Sequence, residues 1–189
     1  KAPKIESSDL NAIDPYALSV LSAILDGHAN SRLNRQLVRD QRLADSVDAS
    51  YGMSGRGPQL FSISASPAKG KSLALIEENI RKILADIKAK GVSNAELDRV
   101  KSQLVSSQIY KRDSIFAQAM EIAIAEMNGI SWKYLDDMLL NVQKVKSEDI
   151  QRVVEKYLVD DSLTVATLDP QAIQKKPAGA QAMPSGMRH

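Results

Sequence analysis

The 189-residue sequence contains no cysteine. This excludes disulfides, thiolate metal ligands and a cysteine nucleophile, and does not choose between reducing and oxidising compartments. Histidine is almost as scarce: His28 and His189 are the two. Zinc sites are built mainly from His and Cys, and His-x-x-Glu-His is missing in either direction. A zinc site within this chain is therefore not expected, and His28 reads as a polar turn residue. Carboxylates at EF-hand spacing are also missing. There is no Gly-x-Ser-x-Gly elbow, and no apolar run reaches the roughly 20 residues of a membrane-spanning helix. No long run of one charge sign occurs. The 25 Lys and Arg are interspersed with 23 Asp and Glu, for a net charge of +2. That is not the footprint of a nucleic-acid-binding protein. Lys1-Ala2-Pro3-Lys4-Ile5 has neither an initiator Met nor a signal-peptide pattern. We expect the N-terminus to be a cut inside a longer, bacterial-type soluble protein of the periplasm or cytoplasm.

What is present reads as helix-rich α+β. Asp14-Pro15 predicts an N-cap followed by Pro at the first helical position. Ile13, Ala17, Val20, Leu21 and Ile24 then recur at helical spacing up to Gly27. A second short helix, capped by Asn30 or Ser31, carries Leu33, Leu37 and Val38 inward. Val47, Ala49 and Tyr51 alternate with polar residues, as do Phe61, Ile63 and Ala65, so the pair predicts an antiparallel hairpin closed by Pro67. Gly52, Gly55 and Gly57 lie between two strands. They lack the strand-to-helix context of a phosphate-binding loop.

Beyond the hairpin, Leu73 to Ile87 marks a long amphipathic helix stopped by Gly91. Ser93-Asn94-Ala95-Glu96 has the form of a capping box for the next helix. Asp113-Ser114 interrupts the following helical run, which ends at Gly129. Two further helices are expected, over 132–140 and from Ser147 to Leu158, and then a last strand, Leu163 to Leu168. From Gln171 the sequence reads as a flexible tail. The fold class is α+β, a small, mainly antiparallel sheet with helices packed on it.

Few residues point to chemistry. Glu77-Glu78, Asp136-Asp137 and Asp160-Asp161 are adjacent pairs. Neighbouring helical residues diverge, so such pairs do not converge on one atom. Arg32, Arg35, Arg39 and Arg42 form a denser cluster, with 32, 35 and 39 on one helix face by the three-and-four rule. Arginine's planar fork suits carboxylates and peptide carbonyls. The same spacing fits a solvated face with ion pairs to Asp26 or Asp40.

Three features occur in one order: Gly27 with Ser31-Arg32-Leu33; Leu37-Val38-Arg39 with Leu43-Ala44, Ser46-Val47 and Ala49; and the long helix leading to Gly91-Val92-Ser93 and Lys101. Over residues 10–170 this order resembles the C-terminal, non-metal-binding half-domain of the M16 (pitrilysin/insulinase) zinc metallopeptidases. The resemblance implies a half-domain like that of the mitochondrial processing peptidases. Two such halves close around an unfolded peptide, and the other half carries His-x-x-Glu-His and zinc. This half supplies chamber walls and an Arg/Tyr pair that contacts peptide.

Arg39 matches that Arg, Arg32 supports it, and Asp45 stands where the Tyr is expected. A carboxylate cannot donate a hydrogen bond at neutral pH, and its charge opposes a forming oxyanion. His28, Ala29 and Asn30 stand where the family pattern is richer in Gly and Ser. The resemblance thus implies residues 1–170 as an inactive half-domain lacking its first strand, and 171–189 as tail. It implies no catalytic residue, metal or cofactor here, substrate contacts through Arg39 and Arg32, and Zn in a partner half-domain in the same chain or another subunit. Asp45 keeps a second possibility open, a non-catalytic scaffold or assembly subunit.

Overall fold

The computed structural model describes residues 1–169; the tail expected at 171–189 lies outside the described residues. The first helix, α1 (Ile13–Asp26), buries Pro15, Tyr16, Ala17, Leu18, Val20, Leu21, Ile24 and Leu25. A helix apolar on so many sides must be covered on more than one. It packs against the hairpin and against three later helices. Asp14 does not cap it. The helix begins at Ile13 with Ala12 before it, and the Asp14 carboxylate, in the first turn, instead accepts hydrogen bonds from Arg152 (2.9 Å), Lys156 (3.1 Å) and Tyr157 (2.7 Å).

The hairpin is as expected. Strands β1 (Ala44–Tyr51) and β2 (Phe61–Pro67) pair antiparallel, with Val47 opposite Ala65, Ala49 opposite Ile63 and Tyr51 opposite Phe61. They form a two-stranded sheet. Pairing is irregular between Ala44 and Ser46, so Asp45 is an extra residue without an opposite number. That extra residue resets the two-residue period. Ala44 and Val47, three apart, both face the core, while Asp45 and Ser46 are exposed. The lead-in lies beside the hairpin loop, with the Ala2 N–H bonded to the Gln59 carbonyl and the Ile5 N–H to that of Met53, both at 2.8 Å.

Helices α2 (Leu73–Lys90), α3 (Asn94–Lys111), α4 (Ile115–Met127), α5 (Leu135–Lys144) and α6 (Ser147–Tyr157) complete the body. A 3₁₀ turn, Trp132–Tyr134, leads into α5, so the helix expected over 132–140 is two pieces and longer. Helix α6 packs on both α1 and α2, and α3 packs on α1. Gly91 ends α2 at φ 71°, ψ −154°, and a Cβ there would lie 2.5 Å from Ser147 Oγ. Only glycine suits that backbone. The Ser147 hydroxyl accepts from the Val92 N–H and donates to the Val92 carbonyl, both at 2.9 Å. This ties the α2–α3 turn to the start of α6.

Two further expectations need correction. Leu163–Leu168 is not a strand: after a 3₁₀ turn at Asp160–Ser162 the chain runs on exposed, without ladder pairing. Its alternation satisfies the local pattern, but a strand requires a neighbouring edge. The Ser93–Glu96 box is made only in one direction. Ser93 Oγ accepts from the Glu96 N–H at 3.2 Å, while the Glu96 carboxylate turns to Arg32. Helix α4 buries only Ala125, and Ile115, Phe116 and Met127 are exposed. No helix among the described residues is long and apolar enough to cross a membrane.

Candidate functional site

The arginine cluster lies on the segment between α1 and β1. A helical turn begins at Arg32, and Asn34–Asp40 is a π-helix. The Gln41 N–H reaches five residues back to the Gln36 carbonyl at 3.0 Å. One additional residue per turn is a local insertion, and such turns recur at functional sites. Leu33 and Leu37 point inward and are fully buried, while Arg35 and Arg39, also four apart, are exposed. The segment closes with Leu43 N–H on the Leu37 carbonyl at 2.8 Å. This closure puts Arg42 at φ 51°, a left-handed conformation that usually falls to Gly or Asn.

A carboxylate anchors the segment to the core. Asp26, at the end of α1, accepts from the Asn34 side chain and from the Ala49 N–H (3.2 Å) of β1. Asp26 is thus not an ion-pair partner for the arginines. Asp40 is: its Oδ1 lies 3.5 Å from Arg39 Nε.

The arginines divide into two kinds. Arg32 is committed. Its Nε and Nη2 donate to the two Glu96 oxygens at 2.9 and 2.8 Å, and Nη1 lies 3.4 Å from Asp86. Its side chain is 13% exposed and that of Glu96 19%. The Glu96 hydrogen bonds outweigh burial and hold the guanidinium above its ordinary pKa. Arg39 is open. Its side chain is 56% exposed, and besides Asp40 it donates through Nη1 to Asn30 Oδ1 at 2.6 Å. Guanidinium has five N–H donors, so donors remain for a ligand. Arg35 and Arg42 are exposed and, among the described residues, their side chains make no hydrogen bond or ion pair.

Asp45, on the strand bulge, is exposed and makes neither kind of contact. Tyr51 does not take its place as a donor. Its hydroxyl is bonded to the Pro3 carbonyl and its ring stacks on Phe61 at 6.2 Å. Burial pushes that hydroxyl's pKa well up. The residues present do not fit a zinc centre. His28 Nδ1 accepts the Asn30 N–H at 2.9 Å, and among the described residues no three His, Asp or Glu side chains converge to hold a metal ion. Asn30 and Glu96, which position Arg39 and Arg32, were not recognisable as site residues in the sequence. Glu96 carried only a capping signal, which its own carboxylate does not obey.

Known proteins share this framework. A Bacillus subtilis protein, "Uncharacterized zinc protease YmxG", is 26% identical over 146 residues, 77% of this chain; the chain spans 35% of that protein's length. A protease from Helicobacter pylori superposes with a TM-score of 0.76 at 22% identity, over 85% of this chain and 37% of its own. The inactive peptidase domain of a Bordetella parapertussis protein superposes with a TM-score of 0.71 at 22% identity, over 86% of this chain and 87% of its own. The fold is thus that of M16 inactive peptidase domains, as the sequence pattern implied. The family model described as the peptidase M16 inactive domain matches residues 5–104, more than half of the sequence, and the chain belongs to that family.

Proposed function

We propose that this half-domain encloses and holds peptide for hydrolysis by a separate, metal-binding half, with Arg39 contacting the peptide and Arg32 supporting it. The observation that carries the proposal is the state of Arg39. The sequence resemblance sets it at the family's arginine position; it is exposed, and it is held by Asn30 and Asp40 with donors to spare. A peptide backbone offers carbonyl acceptors at every residue, and a planar guanidinium can take them without a side-chain preference. Arg32 contributes through the wall: its fork on Glu96 fixes the first turn of α3 against the start of the π-helix. This reading assigns the metal to the other half, since among the described residues no three His, Asp or Glu side chains converge to hold one. The exposed apolar residues of α4, Ile115 and Phe116 among them, fit a half that packs against more protein.

The test is complementation. This chain alone should hydrolyse no unfolded peptide, and the protein assembled with its metal-binding half, in one chain or two, should. Turnover by this chain alone would overturn the division of labour. The scaffold reading is favoured by one observation, the unpartnered carboxylate of Asp45 where a hydroxyl donor is expected. A full-length protein that retains zinc yet neither binds nor cleaves peptide would establish it.

A further inference from the structure

Beside Arg39 lies a polar groove of about 330 Å³, lined by Asn30, Arg32, Arg35, Glu96 and Arg99 among others. Its floor is electrically closed. Arg32 is bonded to Glu96, and Asp86, which faces Arg32, is also paired with Lys90 at 2.7 Å. Two cations there meet two carboxylates. Arg35, from the π-helix, and Arg99, from α3, add two positive charges to its lining. Both are exposed, and neither side chain makes a hydrogen bond or ion pair among the described residues. The two carboxylates that line the groove, Glu96 and Asp86, are already paired with Arg32 and Lys90. The groove also touches the proposed peptide contact, because Asn30 lines it and accepts the Arg39 hydrogen bond.

We infer that Arg35 and Arg99 form a subsite for a peptide carboxylate next to Arg39, so that this half-domain favours peptides that present a carboxylate there. The inference rests on the peptide-holding role of Arg39 and adds a specificity to it. Two guanidinium forks entering one groove from different elements can engage a carboxylate together, with the directionality that a lysine lacks. The carboxylate is either that of an Asp or Glu side chain or that of a peptide C-terminus. Both present the same two oxygens.

The test uses the full-length protein and three unstructured twelve-residue peptides carrying an uncharged dye. One has two central Asp residues and an amidated C-terminus. The second has Asn at those positions and an amidated C-terminus. The third has Asn and a free C-terminal carboxylate. Fluorescence anisotropy at low salt should show the Asp or the free-acid peptide binding about five-fold more tightly than the amidated Asn peptide, a preference reduced by added salt. Which of the two is preferred identifies the source of the carboxylate. In Arg35→Gln/Arg99→Gln that ratio should fall towards one, with far-UV circular dichroism unchanged. Arg35→Lys/Arg99→Lys should retain part of it.

Equal affinities for all three peptides, or a ratio that survives the double Gln substitution, would overturn the subsite. The underlying reading is tested separately by Arg39→Ala, which should weaken the amidated Asn peptide. If Arg39→Ala leaves that affinity unchanged while the ratio behaves as stated, the peptide-holding role of Arg39 fails and the subsite stands.

Discussion

Removing the Arg32 guanidinium should destabilise the chain by about 2 kcal/mol. The magnitude follows from the geometry. Breaking a fully buried ion pair by deleting one partner costs about 3–5 kcal/mol, and an exposed pair is worth about 0–1 kcal/mol. Arg32 and Glu96 lie between these limits, with 13% and 19% of their side chains exposed. Two charge-assisted hydrogen bonds are lost, and Glu96 keeps a half-sheltered carboxylate at the start of α3. Arg32→Lys retains the charge but not the fork, and should cost about 1 kcal/mol. For a chain of this size, 2 kcal/mol lowers Tm by about 4–8 °C. Urea denaturation followed by circular dichroism measures each variant. A cycle through Arg32→Ala, Glu96→Ala and the double variant should give a coupling of about 1.5 kcal/mol. The reasoning is refuted if Arg32→Ala costs under about 0.5 kcal/mol, or if the two substitutions are additive, because the fork would then add nothing beyond ordinary surface charge.

Other perturbations test neighbouring parts of the structure. Arg42→Gly should raise stability by up to about 1 kcal/mol, since glycine relieves the φ of 51° at some cost in unfolded-chain entropy; equal or lower stability would mean the left-handed residue is not strained. Gly91→Ala should lose more than about 2 kcal/mol in the same assay, because its Cβ would meet Ser147 Oγ at 2.5 Å on a backbone that only glycine favours. Burial alone would raise the Asp14 carboxyl, but hydrogen bonds from Tyr157, Arg152 and Lys156 overcome it and hold the pKa below 3.8. Its folded pKa is depressed, so the stabilisation is complete above the unfolded value and is lost as pH falls through the lower folded one. Wild type should therefore lose more stability than Asp14→Asn between pH 5 and pH 2, as read by urea midpoints; parallel pH profiles would contradict this.

Much of the framework is legible locally. Helix α1, the hairpin and α2 follow from periods of 3.6 and 2 and from glycine stops, because each buries one consistent set of side chains. The parts that were not legible depend on partners distant in sequence. Leu33, Leu37 and Val38 fit an ordinary helix as well as a π-helix, and the extra residue per turn leaves no trace in the apolar pattern. Asp45 reads as one more polar residue of β1 until its lack of an opposite residue shows a bulge.

Glu96 satisfies the capping-box rule by sequence, yet a guanidinium 64 residues away outcompetes its own helix end for it. Asp14 is the same case: its cap pattern is overruled by three donors from α6. In each instance a charge-assisted contact formed by the tertiary fold prevails over a local motif worth about 1 kcal/mol. Of the candidate site, the arginines themselves were visible. What distinguishes them, Arg32 closed by two carboxylates and Arg39 left open, was not.

The most direct measurement is the steady-state kinetics of Arg39→Ala and Arg39→Lys in the full-length protein, with zinc content determined on the same samples. Arg39 makes only exposed contacts, to Asn30 and Asp40, so its loss should leave folding and zinc content intact. Peptide kcat/KM should fall by about ten-fold or more for Ala, the equivalent of one charge-assisted hydrogen bond, and by less for Lys. Unchanged kcat/KM in Arg39→Ala, with zinc retained, would remove Arg39 from the peptide site and with it the central claim that this half-domain holds the substrate there.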